Sequence, residues 1–171
     1  MHKPPTEQYP DYFQKYVQYV KDEELAQAFD RQLPEAHSFF NSIGENQSLN
    51  RYAPGKWDLR EVLQHIIDTE RIFSYRALCI ARRDAQTLPS FDEVQYGINS
   101  MGSRRPWSDL VEEFLAVRSA SACLFKSLPV ESLQIVGPVG NYRISPLALG
   151  YISLGHVYHH INIMKERYLG K

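Results

Sequence analysis

Cysteine is nearly missing from this chain. Cys79 and Cys123 are the only two, far apart and without CxxC spacing, so neither a disulfide framework nor a thiolate zinc site is indicated and a reducing compartment suits the chain. An excess of charge is missing as well. Against 20 Asp and Glu stand 19 Lys and Arg, a formal net charge of -1, which argues against a dedicated nucleic-acid binder. No apolar stretch follows the opening Met-His-Lys-Pro-Pro-Thr, so no signal peptide is expected. Nor does any run approach the roughly 20 apolar residues of a membrane span. These absences describe a soluble, cytoplasmic protein that neither enters a membrane nor holds nucleic acid. No internal repeat or low-complexity tract breaks the pattern. What is present is ordinary in amount, with 171 residues, 43% of them hydrophobic, enough for one core and for residues 1–171 to form one domain.

The pattern of those hydrophobic residues is helical. Prolines and aromatics mix in the first 22 residues (Tyr9, Tyr12, Phe13, Tyr16, Tyr19), a composition that suits a strap packed over a surface better than a disordered tail. From Glu23 to Ile43, Leu25, Phe29, Leu33, Ala36, Phe40 and Ile43 recur at three-and-four spacing, the mark of a first helix with one buried stripe. Pro34 inside it predicts a kink or a break. Asp58 with Glu61 forms a capping box for a second helix running to about Arg83. Gly, Ser, Asn and Pro then predict a long loop from Asp84 to Arg105, a candidate rim of a site. A third helix opens near Pro106 and stops at Pro129. Turns fill residues 130–144, with a short extended piece around Tyr142. Ser145 as N-cap and Pro146 at the first helical position start a fourth helix that reaches about Tyr168. The expected fold is all-α, a four-helix bundle with an N-terminal strap and a long loop between helices two and three.

The chemistry sits in the fourth helix, in Gly155-His156-Val157-Tyr158-His159-His160-Ile161. A lone inward histidine is more often a hydrogen-bonded core residue than a ligand. His156 and His160, however, stand at i and i+4, a spacing that turns both rings toward one point and recurs in chelation of first-row metals. His65, on the flank of the second helix's apolar arc, can complete a three-nitrogen site that leaves coordination positions open. The HExxH motif is absent because Val157 stands where its glutamate would be, and no ExxH pair exists for a ferritin-like di-iron centre. Neither mechanism applies.

Several segments together resemble the DinB-like superfamily of metalloproteins, including its YfiT-type members. They are Tyr52-Ala53-Pro54-Gly55-Lys56-Trp57 leading into His65, Asp68-Thr69-Glu70-Arg71-Ile72-Phe73, Tyr75-Arg76-Ala77-Leu78, the loop Leu88-Pro89-Ser90-Phe91-Asp92, and Gly155-His156 through His160 followed by Lys165-Glu166-Arg167-Tyr168. The resemblance implies a divalent metal, zinc, nickel or iron, held by His65, His156 and His160, with His159 outside the triad. It implies either hydrolysis through water made acidic by the metal or S-transfer from a low-molecular-weight thiol held as thiolate. It also implies a small-molecule substrate and a homodimer.

Other residues carry a functional and a structural reading together. Glu70 falls on the apolar arc of helix two, where a carboxylate needs an arginine partner or acts on a ligand histidine or in acid-base catalysis. Arg76 shares the stripe of His65 and either pairs with an acid or meets an anionic substrate group. Tyr96, Asn99 and Arg104 can line a pocket or face solvent, while Cys79 and Cys123 read as inert small side chains. The rival to an enzyme is a non-catalytic binding or scaffold protein in which the histidines tie two helices together. A fourth protein ligand would favour that reading, and three would favour catalysis.

Overall fold

A computed structural model gives the fold for residues 1–170. The N-terminal segment folds back as two 3-10 turns, Thr6–Gln8 and Asp11–Phe13, and the short helix α1, Gln14–Val17. Tyr9, Phe13 and Tyr16 are buried against the chain's own bundle, leaving Tyr12 and Tyr19 outside. The strap is therefore spent on its own protomer. It is tied down by backbone as well as rings, since the Ser145 amide donates to the Gln8 carbonyl at 3.0 Å.

Helix α2 spans Leu25–Asn41 and continues through Pro34, so of the expected kink or break the break does not occur. The ring removes one amide donor, but buried Phe29, Ala36 and Phe40 anchor the helix on both sides of it. Helix α3, Leu59–Ala81, starts as its sequence demands: Asp58 accepts from the Glu61 amide and Glu61 accepts from the Asp58 amide, both at 2.9 Å.

The segment expected as a loop, 84–105, contains helix α4, Glu93–Ser100, and a 3-10 turn at Gly102–Arg104. Asp92 caps α4 by accepting from the amides of Val94 and Gln95, a local signal that the turn-rich composition obscured. Helix α5 covers Trp107–Ser127 and α6 covers Val130–Leu133. The extended piece near Tyr142 is one arm of an antiparallel hairpin, β1 (Gly137–Val139) with β2 (Tyr142–Ile144). Leu88 adds a rung to it through bonds with Pro138 and Gly140, which draws the segment after α3 onto the hairpin.

Helix α7, Pro146–Ile163, begins with Ser145 accepting from the Ala148 amide and passes into a π-helical turn, Met164–Leu169. Every residue from Ile144 to Val157 is buried, so α7 is covered around its circumference up to that point, enclosed by α1, α2 and α3. Helices α2, α3, α5 and α7 form the bundle. Its core divides into two apolar clusters, one around Phe29, Phe73 and Tyr151 under the strap and one around Phe40, Leu63 and Phe114. Buried polar residues, among them Gln32, His65, Glu70, Arg118, Ser153 and His156, belong to neither. No helix among the described residues is long and apolar enough to cross a membrane.

Candidate metal centre

The three histidines singled out by spacing meet. Nε2 of His156 lies 3.1 Å from Nε2 of His65 and 3.0 Å from Nε2 of His160, and the three ligand atoms lie within 4.8 Å of one another. His156 and His160 arrive together because four residues separate them on α7, and His65 comes across from α3. Two independent contacts hold the rings. Trp57 packs on His65 with ring centroids 5.1 Å apart, and Trp57 is itself pressed by α4, where Gly97 stands because a Cβ would lie 2.5 Å from the indole. Tyr16 of the strap meets His156 edge-on at 5.5 Å.

Electrostatics prepare the cluster for a cation. Burial, reinforced by the neighbouring imidazoles, lowers His65 to about 4 and pushes His156 and His160 well below their ordinary value. At neutral pH all three are uncharged, and each neutral ring keeps one unprotonated nitrogen able to act as a ligand. Three nitrogens at about 2.0–2.1 Å from a tetrahedral ion would stand roughly 3.3 Å apart. The two separations from His156, 3.1 and 3.0 Å, are close to that, and the donor set fits zinc, nickel or ferrous iron. Thr69 Oγ1 approaches the other nitrogen of His65, at 3.5 Å. His159 points elsewhere, packing between Tyr16 and Tyr19.

Two of the three histidines, His65 and His156, line a cavity of about 160 Å³. Its walls come from α3 (His65, Thr69, Phe73, Arg76), from the strap (Tyr12, Phe13, Tyr16), from the segment Ser90–Phe91 with Glu93, and from Tyr142 of the hairpin. A second opening, about 450 Å³, reaches His160 from the other side between Trp57, Lys56 and Arg167. Arg76 lines the first cavity. Glu70 does not line it. Its carboxylate lies 2.7 Å from Arg118 of α5, with both side chains about 2% exposed or less, and this is the ion pair that its position on the arc allowed. Burial pushes Glu70 up while Arg118 pulls it down. Tyr96 lines an adjoining cavity that shares Arg76, whereas Asn99 and Arg104 line neither. The strap aromatics, Glu93 and Tyr142 escaped the sequence reading, because nothing local in their segments says which helix end they will cover.

A sequence profile of the DinB superfamily matches residues 28–164. The chain belongs to the DinB superfamily. Over its whole length the fold is similar to that of YfiT from Bacillus subtilis, described as a probable metal-dependent hydrolase with an unusual four-helix bundle topology; the TM-score is 0.68 at 15% identity, covering 99% of this chain and 94% of that one. A protein of Oceanobacillus iheyensis provisionally named a metal-dependent hydrolase is 32% identical over 59 residues, which span 34% of either chain. The family and the bundle thus agree with the architecture read from periodicity and caps.

Proposed function

We propose that the protein is a metal-dependent enzyme acting on a small molecule, with His65, His156 and His160 as ligands to a divalent ion. One observation carries this reading: three neutral imidazoles converge where two of them, His65 and His156, line a cavity. When bound, such an ion supplies Lewis acidity and makes a coordinated water or thiol acidic near neutrality. The chain's own residues supply the remainder. Phe13, Phe73 and Tyr16 keep the inner cavity apolar and restrict water. Glu93, the carboxylate lining the cavity, stands at its exposed edge and is suited to carry a proton between the cavity and solvent. Three ligands instead of four among the described residues speak for an open coordination sphere and against a scaffold.

Hydrolysis is the first reading, in keeping with the names borne by YfiT and the Oceanobacillus protein. Thiol transfer is the second, and a specific observation favours it: the cluster is reached by cavities on two sides, one past His156 and one past His160, so a thiol and an electrophile would have separate entrances. A homodimer remains part of the proposal, with exposed Tyr75 and Leu78 beside an apolar groove between α3 and α5 as the candidate face; light scattering that finds only monomer at tens of micromolar removes it. Metal analysis of untagged protein is expected to find about one divalent ion per chain. Cobalt-loaded protein is then screened with simple esters and amides, and with cellular thiols plus electrophiles. Turnover of an ester, lost in His65→Ala, supports hydrolysis. A sulfur-to-cobalt charge-transfer band on adding a thiol, with turnover that depends on it, supports transfer. A fully loaded protein that does neither overturns the enzymatic reading.

A further inference from the structure

Arg76 has a position that the metal reading does not use. Its side chain is 3% exposed, yet no carboxylate among the described residues pairs with it, and the groups that act on its charge are Tyr142 and Tyr96. Its guanidinium donates to the Pro89 carbonyl at 2.7 Å and to the Tyr142 hydroxyl at 3.3 Å. Phe91 lies against its face, 5.6 Å from the ring centroid. Two neutral acceptors leave the positive charge unbalanced and part of a five-donor fork unused. Burying a cation in this way is costly unless something anionic completes it. The other deeply buried arginines have a carboxylate within the chain to balance their charge, Glu70 for Arg118 and Glu45 for Arg60. Arg76 alone of the three lines the cavity that ends at His65 and His156.

We infer that Arg76, steadied by Pro89 and Tyr142, binds the carboxylate of a small, elongated and largely apolar substrate whose reactive group lies at the histidine end of the cavity. A carboxylate matches the planar guanidinium fork and its single charge. At the Arg76 end a phosphate dianion carries one charge more than the guanidinium balances, and Glu93 of the same cavity repels it more than it does a carboxylate. The walls between the two ends, Phe13 and Phe73, call for an apolar middle. Arg76 follows His65 by eleven positions on α3, a rise of about 16 Å, shortened by the lean of a helical side chain toward the N-terminus. A ligand that reaches both ends is therefore extended. This inference rests on the three histidines being the metal-bearing end of the site.

The test is calorimetry on the full chain, zinc-loaded and chelator-stripped, with straight-chain monocarboxylates from butyrate to octanoate, the matching alcohols, and the matching alkyl phosphates. The expected result is that a carboxylate of intermediate length binds both forms at least about tenfold more tightly than its alcohol, and that Arg76→Gln removes that preference while Arg76→Lys retains part of it. Tyr142→Phe, a milder change, weakens carboxylate binding about threefold and guards against a variant that does not fold. In cobalt-loaded protein the methyl protons at the far end of the ligand should relax faster than those next to the carboxylate. Carboxylate binding that vanishes on stripping, survives Arg76→Gln, or relaxes fastest beside the carboxylate would put the acid on the metal and overturn the assignment. Alkyl phosphates binding as tightly as carboxylates, or no acid binding at all, would overturn it too. Because the stripped protein is measured, failure here is distinct from failure of the metal reading, which appears as protein without stoichiometric metal.

Discussion

Helix α3 serves two seams of the bundle, and the two handle buried polarity in opposite ways. Toward α5, Glu70 meets Arg118 at 2.7 Å, an acid and a base that balance each other's charge inside the chain. Toward α7, His65 meets His156, which in turn meets His160, a set of ring nitrogens that a metal ion could gather at one point. The first seam is closed in on itself and the second opens on a cavity. A buried charge balanced inside the chain is structural, whereas ligand nitrogens that converge beside a cavity point to a bound ion.

The largest effect expected from this contrast concerns metal affinity. His156→Ala removes the central ligand and should weaken binding about a thousandfold or more in chelator competition. His159→Ala, on the same helix but packed between Tyr16 and Tyr19, should stay within about threefold of the parent. A His159 variant that empties the site would dissolve the distinction between the seams on which the reading depends.

Breaking the other seam should destabilise the fold and leave the metal in place. Glu70→Ala strands Arg118 in the core and is expected to lower the unfolding free energy by about 3–5 kcal/mol in denaturant titration. The double change Glu70→Met with Arg118→Met should recover most of that loss, since an apolar pair avoids the desolvation of both charges. If Glu70→Ala instead loses metal at parental stability, the carboxylate belongs functionally to the histidines.

Acid should act on the two seams with opposite sign. In metal-free protein His65 titrates at about 4 when folded and at its ordinary value of 6.5 when unfolded. Between these values the unfolded chain binds the extra proton, so stability is full above pH 6.5 and declines as pH falls toward 4. This group alone accounts for about 3 kcal/mol, and His156 and His160 act in the same direction. Glu70, raised by burial, lets the folded chain hold a proton longer and opposes the decline. Denaturant titrations of stripped protein at pH 7 and pH 5 should reveal the loss, and His65→Phe should reduce it. A pH response unchanged in that variant would mean that His65 is not the group responsible.

A smaller effect is expected where the strap crosses α7. A Cβ on Gly155 would stand 1.9 Å from the Tyr16 carbonyl oxygen, so Gly155→Ala must displace the strap, at about 1–3 kcal/mol. Faster proteolysis between residues 10 and 20 would register the lifting of Tyr16 from His156, and proteolysis at the parental rate would mean that the strap adapts without moving.

Much of this fold is legible locally. Asp58 with Glu61, Ser145 with Pro146 and the three-and-four spacing of apolar residues each act within one turn of chain, and each produced the helix end or face it predicts. Pro34 and the 84–105 segment are less legible for the same reason. A missing amide is outweighed by burial on both sides of Pro34, and the cap at Asp92 is one favourable residue among many turn formers.

The amino-acid sequence by itself determined the four bundle helices, the pairing of His156 with His160, and the exclusion of two better-known metal motifs, because these follow from periodicity and spacing along one chain segment. Only the tertiary structure decided that His65 reaches that pair, that Glu70 finds Arg118, and that Arg76 finds no acid. Neutralisation of a buried charge depends on everything packed around it in space, and α3 meets α5, α7, the strap and the hairpin at distances along the chain that no local pattern records.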